Sequence, residues 1–192
     1  MTQALFVDPR TTALVLIDLQ QGIVSRELAP YSGAEVVANG ARLADAMRAK
    51  GATVVYVRVP LNELLHLPAD APSRAPDAPP APEAASELVP EAGMQPGDLI
   101  VAKRQWGAFY GTDLEQQLRR RGIDTIAIAG IATNFGVEST ARQAFDQGYK
   151  LVFVEDATTS MSDGWHRFAV DNVFTRMGRV RTTQQVIDAL AA

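Results

Sequence analysis

The sequence predicts an α/β fold: a mostly parallel sheet with helices on both of its faces. Two patterns lead there. Short apolar runs without alternation recur along the chain, as expected of strands covered on both sides. Stretches with the 3.6-residue spacing of amphipathic helices separate these runs, and that alternation is the signature of a three-layer α/β/α arrangement. With 192 residues the chain can enclose one well-buried core and reads as a single domain over residues 1–192.

Ala13-Leu14-Val15-Leu16-Ile17 is the first such strand, and it ends at Asp18. Residues 34–50 carry helical spacing through Val36, Val37, Leu43 and Met47, and Gly51 stands where a helix C-terminus favours a residue tolerant of positive φ. Ala52 to Val57 repeats the strand pattern. Further strands are expected at Leu99 to Ala102, Thr125 to Ala129 and Leu151 to Val154, with a weaker one around Arg179-Val180-Arg181. Helices are expected over 112–121, 136–147, 165–176 and 183–191. The segment from Pro60 to Asp98 breaks the pattern: it holds most of the eleven prolines, so it cannot be one regular element. It reads either as a low-complexity linker or as an excursion over the ligand edge, and strand-like flanks on both sides favour the excursion.

Composition excludes several functions. A net charge of -4 and the lack of a basic groove interleaved with aromatics give no reason to expect a nucleic-acid partner. Arg119-Arg120-Arg121 reads as a solvated helix C-terminus. No apolar run approaches the ~18 residues of a membrane span, and residues 1–12 lack a signal-peptide core, so a soluble cytoplasmic protein is expected. The chain has no cysteine, which removes thiolate nucleophiles, disulfides and Cys-based zinc sites together.

Ligands bind open parallel sheets beyond the C-terminal strand ends. That edge gathers Asp18, Arg58, Lys103, the stretch Gly130 to Gly136 and Asp156. Asp18 closes an apolar run, where a carboxylate is costly to desolvate without a partner or a role. Gln20 could orient it or a substrate. Lys103 opens the glycine-rich aromatic loop Lys103-Arg104-Gln105-Trp106-Gly107-Ala108-Phe109-Tyr110-Gly111-Thr112, in which Trp106 is better placed than Phe109 to face a ligand. Gly130-Ile131-Ala132-Thr133-Asn134-Phe135-Gly136 reads as a strand–turn–helix junction that aims N–H groups at one point. Asp156 reads as a brace for a neighbouring loop. His66 and His166 lack metal-ligand spacing, Ser139 and Thr140 lack a nucleophile-elbow setting, and no G-x-G-x-x-G follows a strand. No metal and no cofactor are expected.

Leu14 to Gln20, Lys103 to Thr112 and Gly130 to Arg142 resemble three signatures of the isochorismatase-like hydrolase family, in order, within a likeness running from about residue 11 to 188. The resemblance implies a six-stranded parallel sheet and assembly as homodimers or homotetramers. Most such enzymes are amidases with an Asp–Lys–Cys triad. Asp18 and Lys103 match its first two members, and Gly136 stands at the cysteine position. The metal-binding Asp and His of nicotinamidases have no counterpart around Arg58-Val59-Pro60. The resemblance also implies a non-proline cis peptide at Ile131-Ala132. Glycine at the cysteine position is what isochorismatases carry, and they cleave a vinyl ether without a covalent intermediate. On that pattern Asp18 would protonate the enol ether carbon, Gly136 would leave room for substrate or water, and Gln20, Arg58, Trp106, Ile131, Ala132 and Phe135 would line the substrate site.

Three readings follow. One is vinyl ether hydrolysis of a small anionic molecule, another is amide hydrolysis by water that Asp18 activates, and the third is a silent scaffold that binds a small acid or serves only as an oligomer component. The lysine beside Asp18 is expected to lower its pKa and weaken it as an acid. An anionic substrate that pairs with Lys103 or Arg58 would reverse this.

Overall fold

Six apolar and β-branched residues in a row make β1 (Thr12–Ile17), and every one is buried. In this computed structural model, which describes residues 5–72, 74–75 and 77–190, β1 lies at the middle of a six-stranded sheet. Its neighbours are β2 (Thr53–Arg58) and β4 (Thr125–Ile131), both parallel to it. Outside them come β3 (Leu99–Ala102) on one side, and β5 (Lys150–Thr159) and β6 (Arg179–Arg181) on the other. The strand order is β3-β2-β1-β4-β5-β6, with all five pairings parallel. The fold class and all six strands are as the sequence predicts.

The period of two along β1 divides the core. Leu14 and Leu16 join a cluster with Val36, Val37, Leu43 and Met47 of α2 (Gly33–Ala49) and Val186 of α7 (Thr183–Asp188). Ala13, Val15 and Ile17 face the other way, toward Leu114 and Leu118 of α3 (Leu114–Arg120) and Ala141 and Ala144 of α4 (Glu138–Asp146). Two faces buried by two helical layers explain why the strands read as unbroken apolar runs. α2 starts at a capping box, with Ser32 and Glu35 each bonding the other's backbone N–H. α1 (Gln21–Val24) is a single turn after β1.

Several boundaries differ from the expectation, two of them with consequences for the site. The helix expected over 165–176 opens earlier, as α5 (Asp163–Phe168), and continues through a π-helical stretch at Ala169–Phe174 into α6 (Thr175–Met177). β5 runs well past Val154, because Val154 to Ala157 bulge opposite Ala129 alone before pairing resumes at Thr158. The polar pair Glu155-Asp156 hid this strand from an apolar-run reading. The bulge re-aims both side chains. Asp156 accepts from the Thr183 N–H at 2.6 Å and the Thr183 hydroxyl at 2.8 Å, as a brace of the helix that follows.

Glu155 accepts from the Tyr31 hydroxyl at 2.8 Å. Burial, with help from that acidic partner, pushes Tyr31 up to about 12. Burial likewise pushes Tyr56, whose hydroxyl donates to Ala92 O, up to about 12. Unfolded tyrosines ionise near 10, so above pH ~10 the unfolded chain releases protons that the folded chain retains. Stability must then fall as pH rises toward 12. The urea midpoint is expected to drop over this interval, and to drop less steeply in Tyr31→Phe and Tyr56→Phe proteins.

Candidate active site

Strand order reverses direction between β1 and β4, and open α/β sheets bind ligands at such a switch point. Asp18 leaves β1 there with φ 54, a left-handed conformation and the only non-glycine instance among the described residues. Asp tolerates it better than most side chains. Its N–H donates to Val57 O at 2.9 Å, which ties the exit of β1 to β2.

Lys103 leaves the edge strand β3, and its long stem spans the end of β2. Its Nζ stands 2.7 Å from Asp18 Oδ2 and donates to Trp106 O at 2.8 Å. Both side chains are buried, while Asp18 Oδ1 has no hydrogen-bond partner. Burial pushes the Asp18 carboxyl above its ordinary range, ahead of the opposing pull of Lys103 and the weaker pull of Arg26. This corrects the expectation that the lysine sets its acidity: at this depth desolvation outweighs the ion pair.

After β4 the Ile131–Ala132 peptide is cis, as the family resemblance implies. A π-helical turn, Thr133–Val137, leads into α4. A methyl group built on Gly136 would sit 3.1 Å from Lys103 Nζ and 3.2 Å from Asp18 Oδ2. Gly136 therefore borders the ion pair and leaves the space above it open. A cavity of about 570 Å³ fills this region, a size suited to one small molecule.

The remaining expected site residues divide. Trp106, Phe135, Ile131 and Ala132 line the cavity, and Phe135 makes edge contacts with Trp106 and Trp165 at 5.0 and 6.1 Å. Gln20 does not line it. Its Nε2 donates to Val59 O and Ser86 O, and its Oε1 accepts from the Val59 N–H, each at 2.8 Å. Its amide is wholly spent joining β1, β2 and the Pro60–Asp98 excursion. Arg58 does not line the cavity either, since it pairs with Glu87 at 2.9 Å. Both corrections share a cause: alternation and local bonding turn these side chains away from the ligand edge.

Other lining residues carry no local sequence signal. Leu61, Leu64, His66 and Arg74 come from the excursion, which forms one wall. Arg26 follows α1, and Trp165 begins on α5. Behind the turn lies a buried polar chain: Thr133 Oγ1 meets His166 Nδ1 at 2.9 Å, and His166 Nε2 meets Glu155 at 3.4 Å. The bond with His166, more than any other influence, holds Glu155 below the usual carboxylate range.

Thr140 fastens the two halves of the site. Its hydroxyl donates to Gly136 O at 2.7 Å and accepts from the Ala108 N–H of the lysine loop at 3.1 Å. Thr140→Val keeps the shape and strands a buried N–H, so a loss of about 1–3 kcal/mol is expected from urea unfolding.

The sequence matches the isochorismatase domain family over residues 12–185. The isochorismatase family protein YwoC of Bacillus subtilis is 46% identical over 98% of this chain and 98% of its own. A solved isochorismatase family protein from Burkholderia thailandensis shares 43% identity at a TM-score of 0.90, covering 97% of this chain and 98% of that one. RutB of Methylobacterium radiotolerans, a ureidoacrylate amidohydrolase, is 31% identical over 91% of this chain and 77% of its own.

Proposed function

Because this chain belongs to the isochorismatase family of hydrolases, we propose that it hydrolyses a small anionic molecule without a covalent intermediate, at a vinyl ether bond. The observation behind this reading is a buried Asp18–Lys103 pair, 2.7 Å apart, that meets a glycine where a nucleophile would otherwise stand. A carboxyl raised by burial is suited to acid catalysis rather than to carrying a permanent charge.

In this mechanism Asp18 donates its proton to the terminal carbon of the enol ether. The electron pair of the C=C bond forms the new C–H bond, and the adjacent carbon becomes an oxocarbenium ion. Water adds to that carbon and returns a proton to Asp18. The hemiketal then collapses to a carbonyl product and an alcohol. Lys103 keeps the carboxyl oriented, and the open space at Gly136 admits the attacking water.

Amide hydrolysis is the second reading, favoured by the likeness to the RutB amidohydrolase. It requires Asp18 to act as a base on water, without the covalent step that makes amides tractable. A panel of small vinyl ethers and amides of similar size separates the two. Vinyl ethers are expected to be turned over by the wild type and not by Asp18→Asn. Cleavage of amides alone would replace the reading with the second one, and turnover indifferent to Asp18→Asn would remove the assigned acid.

A further inference from the structure

We infer that Arg26 is the residue through which this cavity recognises a carboxylate carried on an apolar, ring-sized substrate. Among the described residues, Asp18 is the only acidic side chain lining the cavity, and it already faces Lys103. Two arginines line it as well. Arg74 is engaged by its own loop, donating to Ala78 O, Pro79 O and Asn62 Oδ1. Arg26 spends only its Nε–H, on Gly22 O at 3.0 Å. Among the described residues its two terminal nitrogens meet no carboxylate and no carbonyl.

A guanidinium fork with both terminal nitrogens free is the geometry that binds a carboxylate through two parallel bonds. Apart from His66 and Gln105, the rest of the lining is suited to an apolar body: Ile23, Leu61 and Leu64, with the aromatic group of Trp106, Phe135 and Trp165. The cavity therefore combines an apolar wall with a guanidinium whose terminal nitrogens pair with no described residue. Arg26 is exposed, so little desolvation opposes pairing. Its charge also pulls the Asp18 carboxyl down. A carboxylate seated on Arg26 cancels that pull and leaves Asp18 more readily protonated, so recognition and acid catalysis support each other.

The inference rests on the Asp18 cavity being the active site, but its test needs no turnover. Benzoate and its neutral isostere benzamide are titrated against wild-type protein, Arg26→Gln and Arg26→Lys by ligand-observed NMR. Wild type is expected to bind benzoate about tenfold tighter than benzamide, as charged hydrogen bonds allow. Arg26→Gln should bring the two within about twofold, with Arg26→Lys between. No benzoate binding, no preference in the wild type, or a preference that survives Arg26→Gln overturns the inference. A preference lost in Lys103→Met but kept in Arg26→Gln also overturns it, and moves the carboxylate to the ion pair. Benzoate binding through Arg26 by a protein that cleaves nothing defeats the hydrolase reading alone. Vinyl ether cleavage with no Arg26-dependent acid preference defeats this inference alone.

Discussion

Asp18→Asn should lower kcat/KM on a cleaved vinyl ether by about 10²–10⁴-fold, the usual contribution of a positioned general acid. Asparagine preserves the shape of the side chain and is among the few residues that accept the left-handed conformation, φ 54, in which the chain leaves β1. What it removes is the proton. It also leaves the Lys103 ammonium buried without its counter-charge, at a cost of about 3–5 kcal/mol. Rates are therefore compared at a temperature where circular dichroism shows both proteins folded.

The pH profile adds an independent check. Burial raises the Asp18 carboxyl, and the protonated form is the active one. The wild-type rate should thus be level at low pH and fall as pH rises through a value above the ordinary 3.8, and this limb should be absent from any residual Asp18→Asn activity. A rate that climbs with pH through the same limb would make Asp18 a base, in favour of amide hydrolysis.

Gly130→Ala should destabilise the fold by more than about 4 kcal/mol, in the range reserved for severe core lesions. Gly130 has φ 119, and a methyl group there would stand 2.1 Å from Ile17 O and 2.6 Å from Ile17 N. Those atoms belong to the backbone of the central strand, paired with Gly130 in register, and cannot yield like a flexible side chain. The strand that delivers Asp18 and the strand that delivers the Gly136 turn would be forced apart at the point where the site is assembled. Gly148→Ala is the control: its φ is 84 with no atom within 4 Å of the added carbon, so it should cost only the left-handed penalty of about 1–2 kcal/mol. Equal losses by urea unfolding would show that the close approach of β1 and β4 carries no special weight.

The parts of the site legible in the sequence lie at strand ends. Asp18 follows five apolar residues, Lys103 follows β3, and the Gly130 to Gly136 turn follows β4, so the α/β pattern alone places them on one edge. Arg58 satisfies the same rule yet pairs with Glu87 outside the cavity, because a strand-end position does not say which way a side chain leaves the sheet. Gln20 departs from expectation for a related reason: an amide two residues from a buried carboxylate serves equally well as a brace. Arg26 and Arg74 sit on connections with no periodicity and Trp165 on the first turn of α5, and no rule of spacing marks them as neighbours of Asp18. The bulge at Val154 to Ala157 was hidden because its polar residues bond Tyr31 and Thr183, which are distant in sequence.

Sequence by itself therefore determined the layered parallel fold, the six strands and the strand-end residues, since burial on both faces imposes an unbroken apolar pattern that local reading detects. Only the tertiary structure decided that Asp18 and Lys103 touch, that burial outweighs their attraction in setting the Asp18 proton, and that Arg26 rather than Arg58 lines the cavity. Contact between distant segments, depth below the surface and the direction a side chain takes are properties of the packed molecule. Desolvation and ion pairing act through those three, so the chemistry of the site emerges only when the chain has closed around it.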